Sequence, residues 1–200
     1  MGVDQQIRSL ETVYFKDQHP PGVGQCTRKL VSMYSAEELI GSHLVPVQSW
    51  QRRGTVSLAS GVHYGVLMPR YPGVLSEFTG AHFWANSEVI VKILNQISGA
   101  IALLHAKNLV HMDVKASNVF LDGEASAFLG DFGSMTAMGD EVTSYSPAFA
   151  ITELQYETAD PVHDWCGLLL TGLSLVRKLR PTGDPHPISV VMRIINSLRD

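Results

Sequence analysis

Charge is scarce in this chain. Asp, Glu, Lys and Arg make up 17% of its 200 residues, against about a quarter in a typical soluble domain. Neither sign dominates. The 15 Lys and Arg set against 19 Asp and Glu leave a formal charge of −4, which argues against the basic surface of a nucleic-acid binder. Cysteine is rarer still. Cys26 and Cys166 cannot build a disulfide framework, and two thiols alone cannot fill a four-ligand zinc site. Reduced thiols, and with them an intracellular and cytoplasmic setting, are the expectation. Long apolar runs are missing too. The longest, Cys166 to Val176, is interrupted by Thr171 and Ser174 and falls short of the roughly 20 residues that a membrane span needs. The N-terminus lacks the basic-then-apolar pattern of a signal peptide. Gln6 stands where an N-myristoylation motif after Met1-Gly2 wants Ser or Thr. No internal repeat or low-complexity tract interrupts the chain, and no membrane anchor is expected.

What is present suits a folded protein. Apolar types reach 45%, enough to bury a sizeable core and too many, at this low net charge, for disorder. The length fits one compact domain, or a small domain with a partner.

The texture changes along the chain. Thr12-Val13-Tyr14-Phe15-Lys16 is β-branched and aromatic and predicts a strand, which Pro20-Pro21-Gly22 then breaks. Ser35-Ala36-Glu37-Glu38-Leu39-Ile40 matches a capping box opening a short helix, with Gly41 at its end. Tyr64 to Met68 reads as a second strand, closed by Pro69 and the Tyr71-Pro72-Gly73 turn.

Beyond Gly80 helices take over. Ser87 can cap a long amphipathic helix in which Val89, Ile90, Ile93, Leu94, Ile97, Ile101 and Leu104 recur every three or four residues, with Gly99 its weak point. Val119-Phe120-Leu121 and Ala127-Phe128-Leu129 predict a hairpin, with Asp122-Gly123 supplying positive φ. Residues 134–150, rich in Ser, Thr, Gly and Ala without a sustained period, read as a mobile loop. Asp160-Pro161 is a cap and first-turn pair for a second apolar helix reaching Leu179, and Arg177 and Lys178 near its end suit the helix dipole. A third helix is predicted over 188–198. The fold class is therefore α+β, with strands first and helices after.

The chemistry concentrates in His111-Met112-Asp113-Val114-Lys115-Ala116-Ser117-Asn118 and in Asp131-Phe132-Gly133. Each piece alone is a weak signal, and a lone His-x-Asp is more often a turn. Together they place Asp, Lys and Asn in a loop after a long helix, while the hairpin brings a second Asp back beside them. Phosphoryl transfer needs such a set. One carboxylate accepts a hydroxyl proton, a lysine offsets charge on the transferring group, and an amide and a second carboxylate hold magnesium.

On these residues the sequence resembles the eukaryotic-type protein kinase family over most of its length, its catalytic loop looking like H-R-D-x-K-x-x-N. The resemblance implies a two-lobed kinase-like fold: an incomplete, strand-rich N-lobe at 1–70, a shortened helical C-lobe at 71–200 and a hinge near 69–73. It implies ATP and Mg2+ as cofactors and a protein Ser or Thr as acceptor. Asp113 becomes the catalytic base and Lys115 the γ-phosphate contact, as in serine/threonine kinases. Asn118 and Asp131 become metal ligands, and His111 packs beneath the loop. Lys16 resembles the lysine that pairs with the α- and β-phosphates. Met68 becomes the gatekeeper, with the Pro69 carbonyl and the Tyr71 N–H facing the adenine. Asp164-Trp165 is similar to the Asp-Trp pair whose Asp holds the catalytic-loop backbone, and Ile151-Thr152-Glu153 stands where Ala-Pro-Glu closes the activation segment.

Departures matter as well. No G-x-G-x-x-G precedes Lys16, so the strand pair over the phosphates is expected to be absent or truncated. Met112 replaces the arginine that grips an activation-loop phosphate, although Ser134, Thr136, Thr143, Ser144 and Ser146 remain acceptors to consider. Family spacing puts the regulatory-helix glutamate near Ser32. Glu37 or Glu38 serves only with a shifted register, and Glu38 is equally the capping-box partner of Ser35. The chain ends soon after the second apolar helix, so the last helices are expected to be short or missing. These gaps support the alternative, a catalytically weak or inactive pseudokinase that scaffolds partners. His63, His82, His105, His163 and His186 lack metal-ligand spacing and read as surface or satisfied core residues.

Overall fold

A computed structural model describes residues 12–16, 25–49, 55–58, 61–77, 87–151 and 154–178, with side chains over 29–47, 68–77, 89–151 and 154–175. The β-branched and aromatic stretch at the start forms β1 (Thr12–Lys16). It pairs antiparallel with β4 (Gly61–Met68), Thr12 opposite Met68 and Lys16 opposite Tyr64. β2 (Gln48–Ser49) and β3 (Thr55–Leu58) share the other edge of β4, so β4 is the central strand. It starts at Gly61, earlier than the apolar run from Tyr64 marks.

Among the described residues, two helices lie between β1 and β2. α1 (Gln25–Met33) is not marked in the sequence. Among its described side chains Leu30 is buried and Val31 packs alongside, and its sequence has too few apolar positions to show a period. It packs against the turn at Phe132–Ser134. α2 (Ala36–Gly41) opens with the expected capping box. Glu38 N donates to Ser35 Oγ at 3.2 Å, and Ser35 N donates to Glu38 Oε2 at 2.7 Å.

After Met68 the chain crosses through Pro69 and Tyr71 to β5 (Gly73–Val74). β5 pairs with β7 (Val119–Leu121), and β7 pairs with β8 (Ala127–Leu129) in the predicted hairpin, Phe120 opposite Phe128. The turn differs from expectation. Its left-handed residue is Ala125 (φ 58°), not Gly123. Asp122 Oδ1 accepts the N–H groups of Glu124 and Ser126, and this side-chain closure sets the loop.

α3 (Ser87–His105) buries Ile90, Ile93, Ile97, Ile101 and Leu104 along one stripe. Ser87 is its first helical residue rather than the one before it. α4 (Pro161–Lys178) starts as predicted, with Val162 N donating to Asp160 Oδ1 at 2.8 Å. It packs across α3. Leu179 and the helix predicted over 188–198 lie outside the described residues. Among the described residues no helix is long and apolar enough to cross a membrane.

Residues 134–150 correct the expectation of a mobile loop. β9 (Thr136–Ala137) pairs with β6 (Leu109–Val110), and Ser134, Met135 and Thr136 are buried. Gly139 N donates to Ala159 O and Ala159 N to Asp140 O, both at 2.8 Å, and Val142 N donates to Glu157 O at 2.9 Å. The side chains carry no period, so the sequence hides these partners. The backbone groups find them in distant segments.

Candidate active site

The loop after β6 is fixed from behind by α4. Asp164, fully buried, accepts from His111 N through Oδ2 and from Met112 N through Oδ1, each at 2.8 Å. His105 Nε2 meets Oδ2 at 2.9 Å. Gly167, one turn along, lets the loop backbone close in. A Cβ there would stand 2.7 Å from the Val114 carbonyl oxygen. Met112 adopts φ 66°, a left-handed conformation held by these bonds.

His111 ties this loop to the Asp131 turn. Asp113 N donates to His111 Nδ1 at 3.3 Å, which leaves Nε2 to donate to Gly130 O at 2.9 Å. The imidazole edge meets the Phe132 ring at a centroid distance of 5.6 Å. Gly130 N donates to Asn118 O at 2.9 Å. Gly130 itself is enclosed, since a Cβ would lie 2.7 Å from Val45 Cγ2 and 2.8 Å from Phe120 Cε2. Asp131 follows with φ 56° and ψ 68°. Asp113 and Gly130, the residue just before Asp131, are thus attached to the same histidine and the same asparagine.

The centre of the cluster is Asp113. Its Oδ2 accepts from Lys115 Nζ at 2.7 Å and from Asn118 Nδ2 at 2.9 Å, while Asn118 Nδ2 also donates to Asp113 O at 2.8 Å. Lys115 Nζ further donates to Ser146 Oγ at 2.7 Å. Asp113 Oδ1 is buried and has no hydrogen-bond partner. Burial by itself raises this carboxyl. The Lys115 hydrogen bond and charge, the nearby Ser146 hydroxyl and the Asn118 amide outweigh it, so its pKa falls below the ordinary aspartate value. The group is an ionised acceptor with one oxygen committed and one open.

The donor set suits a hard cation. Asn118 spends its amide hydrogens on Asp113, which leaves its oxygen as the ligating atom, and Asp131 adds a carboxylate. Magnesium is held by one or two carboxylates together with substrate phosphates and water, so this oxygen pair fits it. Among the described residues no group of three or more His, Cys, Asp and Glu could hold a metal ion.

The other expected residues fall as follows. Lys16 is the last residue of β1 on the central strand; its side chain lies outside the described residues. Met68 ends β4 and is buried, and the Tyr71 ring packs on Phe120 and Phe128, each at 5.4 Å. Ile151 is buried against Cys166 and Leu170, while Thr152 and Glu153 lie outside the described residues. Glu38 is engaged in the capping box, and α1, the helix against the Phe132–Ser134 turn, carries no carboxylate. Ser134 and Thr136 are buried, which removes them as acceptors, whereas Thr143 and Ser144 are exposed. Ser146 joins the Asp113 cluster through Lys115 instead of standing free for modification. No local pattern marks that contact, because the two residues are 31 apart. His105, which looked ordinary, is held by Asp164.

The family model described as protein kinase domain matches residues 59–161, more than half of the chain. The chain is 26% identical over 131 residues to a serine/threonine-protein kinase US3 homolog of Gallid herpesvirus 2, covering 58% of this chain and 33% of that protein. It is 31% identical over 139 residues to a putative L-type lectin-domain containing receptor kinase of Arabidopsis thaliana, covering 68% of this chain and 19% of that protein. The chain therefore spans a third or less of these relatives. Among solved structures, the ROP18 kinase domain in complex with AMP-PNP and sucrose superposes with a TM-score of 0.58 at 19% identity, covering 85% of this chain and 56% of that one. That likeness is one of fold.

Proposed function

The chain belongs to the protein kinase family, and from that premise we propose that it transfers the γ-phosphate of ATP to a serine or threonine hydroxyl of a protein substrate. The observation that carries the reading is the Asp113 carboxylate, ionised, gripped at Oδ2 by Lys115 and Asn118, and open at a buried Oδ1. An acceptor hydroxyl donating to Oδ1 is oriented for attack and can give up its proton there. Lys115 sets its charge beside the group in transit. Asn118 and Asp131 would hold Mg2+, which when bound offsets the phosphate charge. Lys16 would meet the α- and β-phosphates, with Met68 as gatekeeper and the Pro69 carbonyl and Tyr71 N–H facing the adenine. In this reading residues 1–70 form the N-lobe and 71–200 the C-lobe, joined by a hinge at 69–73. Magnesium-dependent transfer of labelled γ-phosphate to a generic protein substrate tests it, with Asp113→Asn as control. Equal signal from both proteins refutes it.

One observation favours a second reading, a pseudokinase that scaffolds partners. α1 carries no carboxylate to pair with Lys16, and Glu38 is spent on its cap. This reading expects weak or absent thermal stabilisation by Mg-ATP, and tight nucleotide binding with turnover would remove it.

A further inference from the structure

β8 is three residues long, and Asp131 follows two residues after its end. Alternate residues of an antiparallel strand turn their backbone groups to opposite edges. Ser126 and Gly130 turn theirs toward β7 and its flank, where Asp122 N donates to Ser126 O at 3.0 Å and Gly130 N to Asn118 O at 2.9 Å. Ala127 and Leu129 therefore face the outer edge. Backbone groups of the segment after α2 close half of that edge, since Leu129 N donates to His43 O at 2.8 Å and Val45 N to Leu129 O at 2.9 Å. Side chains close the other half. Ala127 N donates to Gln96 Oε1 at 3.0 Å, and His43 Nδ1 donates to Ala127 O at 3.0 Å, because a carbonyl can only accept.

Ala127 is fully buried, so its N–H and C=O have to find partners inside the protein. Gln96 reaches it from α3, 31 residues away in the chain. Ile93 and Ile97, on either side of Gln96 along the helix, are buried in the core, and their packing holds the backbone that carries the amide. His43 is held by its own backbone bonds to Leu129 and by its ring, which lies tilted on Phe128 at 5.6 Å. Beyond Ala127 the strand leads straight through Leu129 to Gly130, whose carbonyl faces His111 Nε2, and then to Asp131. A strand this short has few bonds of its own, and an edge released at Ala127 loosens the run that carries the Asp131 carboxylate.

We propose that Gln96 is a positioning residue for Asp131. By closing the outer edge of β8 at Ala127, together with His43, it fixes the place of that carboxylate from the α3 side. The effect on chemistry rests on the reading of Asp131 as a metal ligand, whereas the hold on β8 is a matter of hydrogen bonds and is measured separately.

The test uses the full chain and two readouts that need no turnover. One is amide hydrogen exchange at Ala127 and Gly130. The other is Mn2+ binding in the presence of ADP, followed by water-proton relaxation, with Asp131→Asn as the variant that should lose it. Gln96→Met keeps the length of the side chain and removes the acceptor. It should speed exchange at both amides by about tenfold or more and weaken Mn2+ binding by about fivefold or more. Gln96→Glu keeps the acceptor, and its charge borders an open cavity of about 360 Å3 lined also by Gly41, Ser42, Asn95 and Gly99. It should hold both readouts within about twofold of wild type. Gln96→Asn draws the acceptor back by one methylene and should show the losses of Gln96→Met in smaller degree, so a fold lost in Gln96→Met does not block the test. Leu170→Ala cuts into a separate cluster with Ile151 and Cys166. It should lower the Tm and leave Mn2+ binding unchanged. Wild-type Mn2+ binding in both Gln96→Met and Gln96→Asn overturns the proposal. So does unchanged exchange at Gly130 in both, a Gln96→Glu as impaired as Gln96→Met, or an equal loss of Mn2+ in Leu170→Ala. If the wild-type protein takes up no Mn2+, the metal reading of Asp131 fails and exchange alone decides the hold on β8.

Discussion

At the scale of single residues, Asp113 concentrates the most consequence. Its depressed pKa means that it stabilises the fold at pH above the unfolded aspartate value of about 3.9, and that this contribution is lost as pH falls through the lower folded value. Urea melts from pH 6 down to 2 should show Asp113→Asn losing part of the wild-type acid sensitivity, with the two curves converging at the acid end. The same variant should lower phosphate transfer by about 10²–10⁴-fold, the usual worth of a general base, while its melt stays cooperative. Gly130 makes a steric prediction. Gly130→Ala drives a methyl into Val45 and Phe120, and thermal or urea unfolding should show a loss of about 1–3 kcal/mol.

At the scale of elements, α4 works as the backing of the catalytic loop. Asp164→Ala leaves the buried N–H groups of His111 and Met112 without an acceptor, which costs on the order of 3 kcal/mol. Urea melts should show that loss, and transfer should fall with it, since the loop carrying Asp113 is no longer positioned. Ser35→Ala removes the capping box of α2 for about 1 kcal/mol, and phosphate transfer measured alongside the melt should be unchanged. The contrast separates an element that holds the site from one that only holds itself. Periodicity made α3 legible, because Ile90, Ile93, Ile97, Ile101 and Leu104 bury one stripe. It missed α1, whose apolar residues are too few to repeat, and it missed β9, whose Thr136-Ala137 is held by backbone bonds that favour no side-chain pattern.

At the scale of the molecule, both parts share one core. Leu39, Leu44 and Val45 from the strand-rich half pack with Leu129, Ile97 and Ile101 from the helical half, and Val45 N donates to Leu129 O while Leu129 N donates to His43 O. A ligand bridging the halves should therefore stabilise the whole chain. Mg-ATP at a hundred times its Kd should add about 2.7 kcal/mol, read as a rise in Tm of about 5–10 °C. On the proposed reading Asp113 serves the acceptor hydroxyl and Asp131 the metal, so Asp113→Asn should keep that shift and Asp131→Asn should lose most of it. An unshifted wild-type Tm would speak for the scaffold reading.

Local chemistry alone settled much of this protein. The cap at Ser35, the strand at Thr12–Lys16, the hairpin, the two long helices and the spacing of Asp113, Lys115, Asn118 and Asp131 all depend on near neighbours, where side-chain type and backbone preference act directly. Tertiary structure decided the rest. Only the closed chain brings Ser146 to Lys115, His105 to Asp164, and Gln96 to Ala127, because those contacts join residues tens of positions apart. Their strength comes from burial and from hydrogen bonds that exist only once the segments have met.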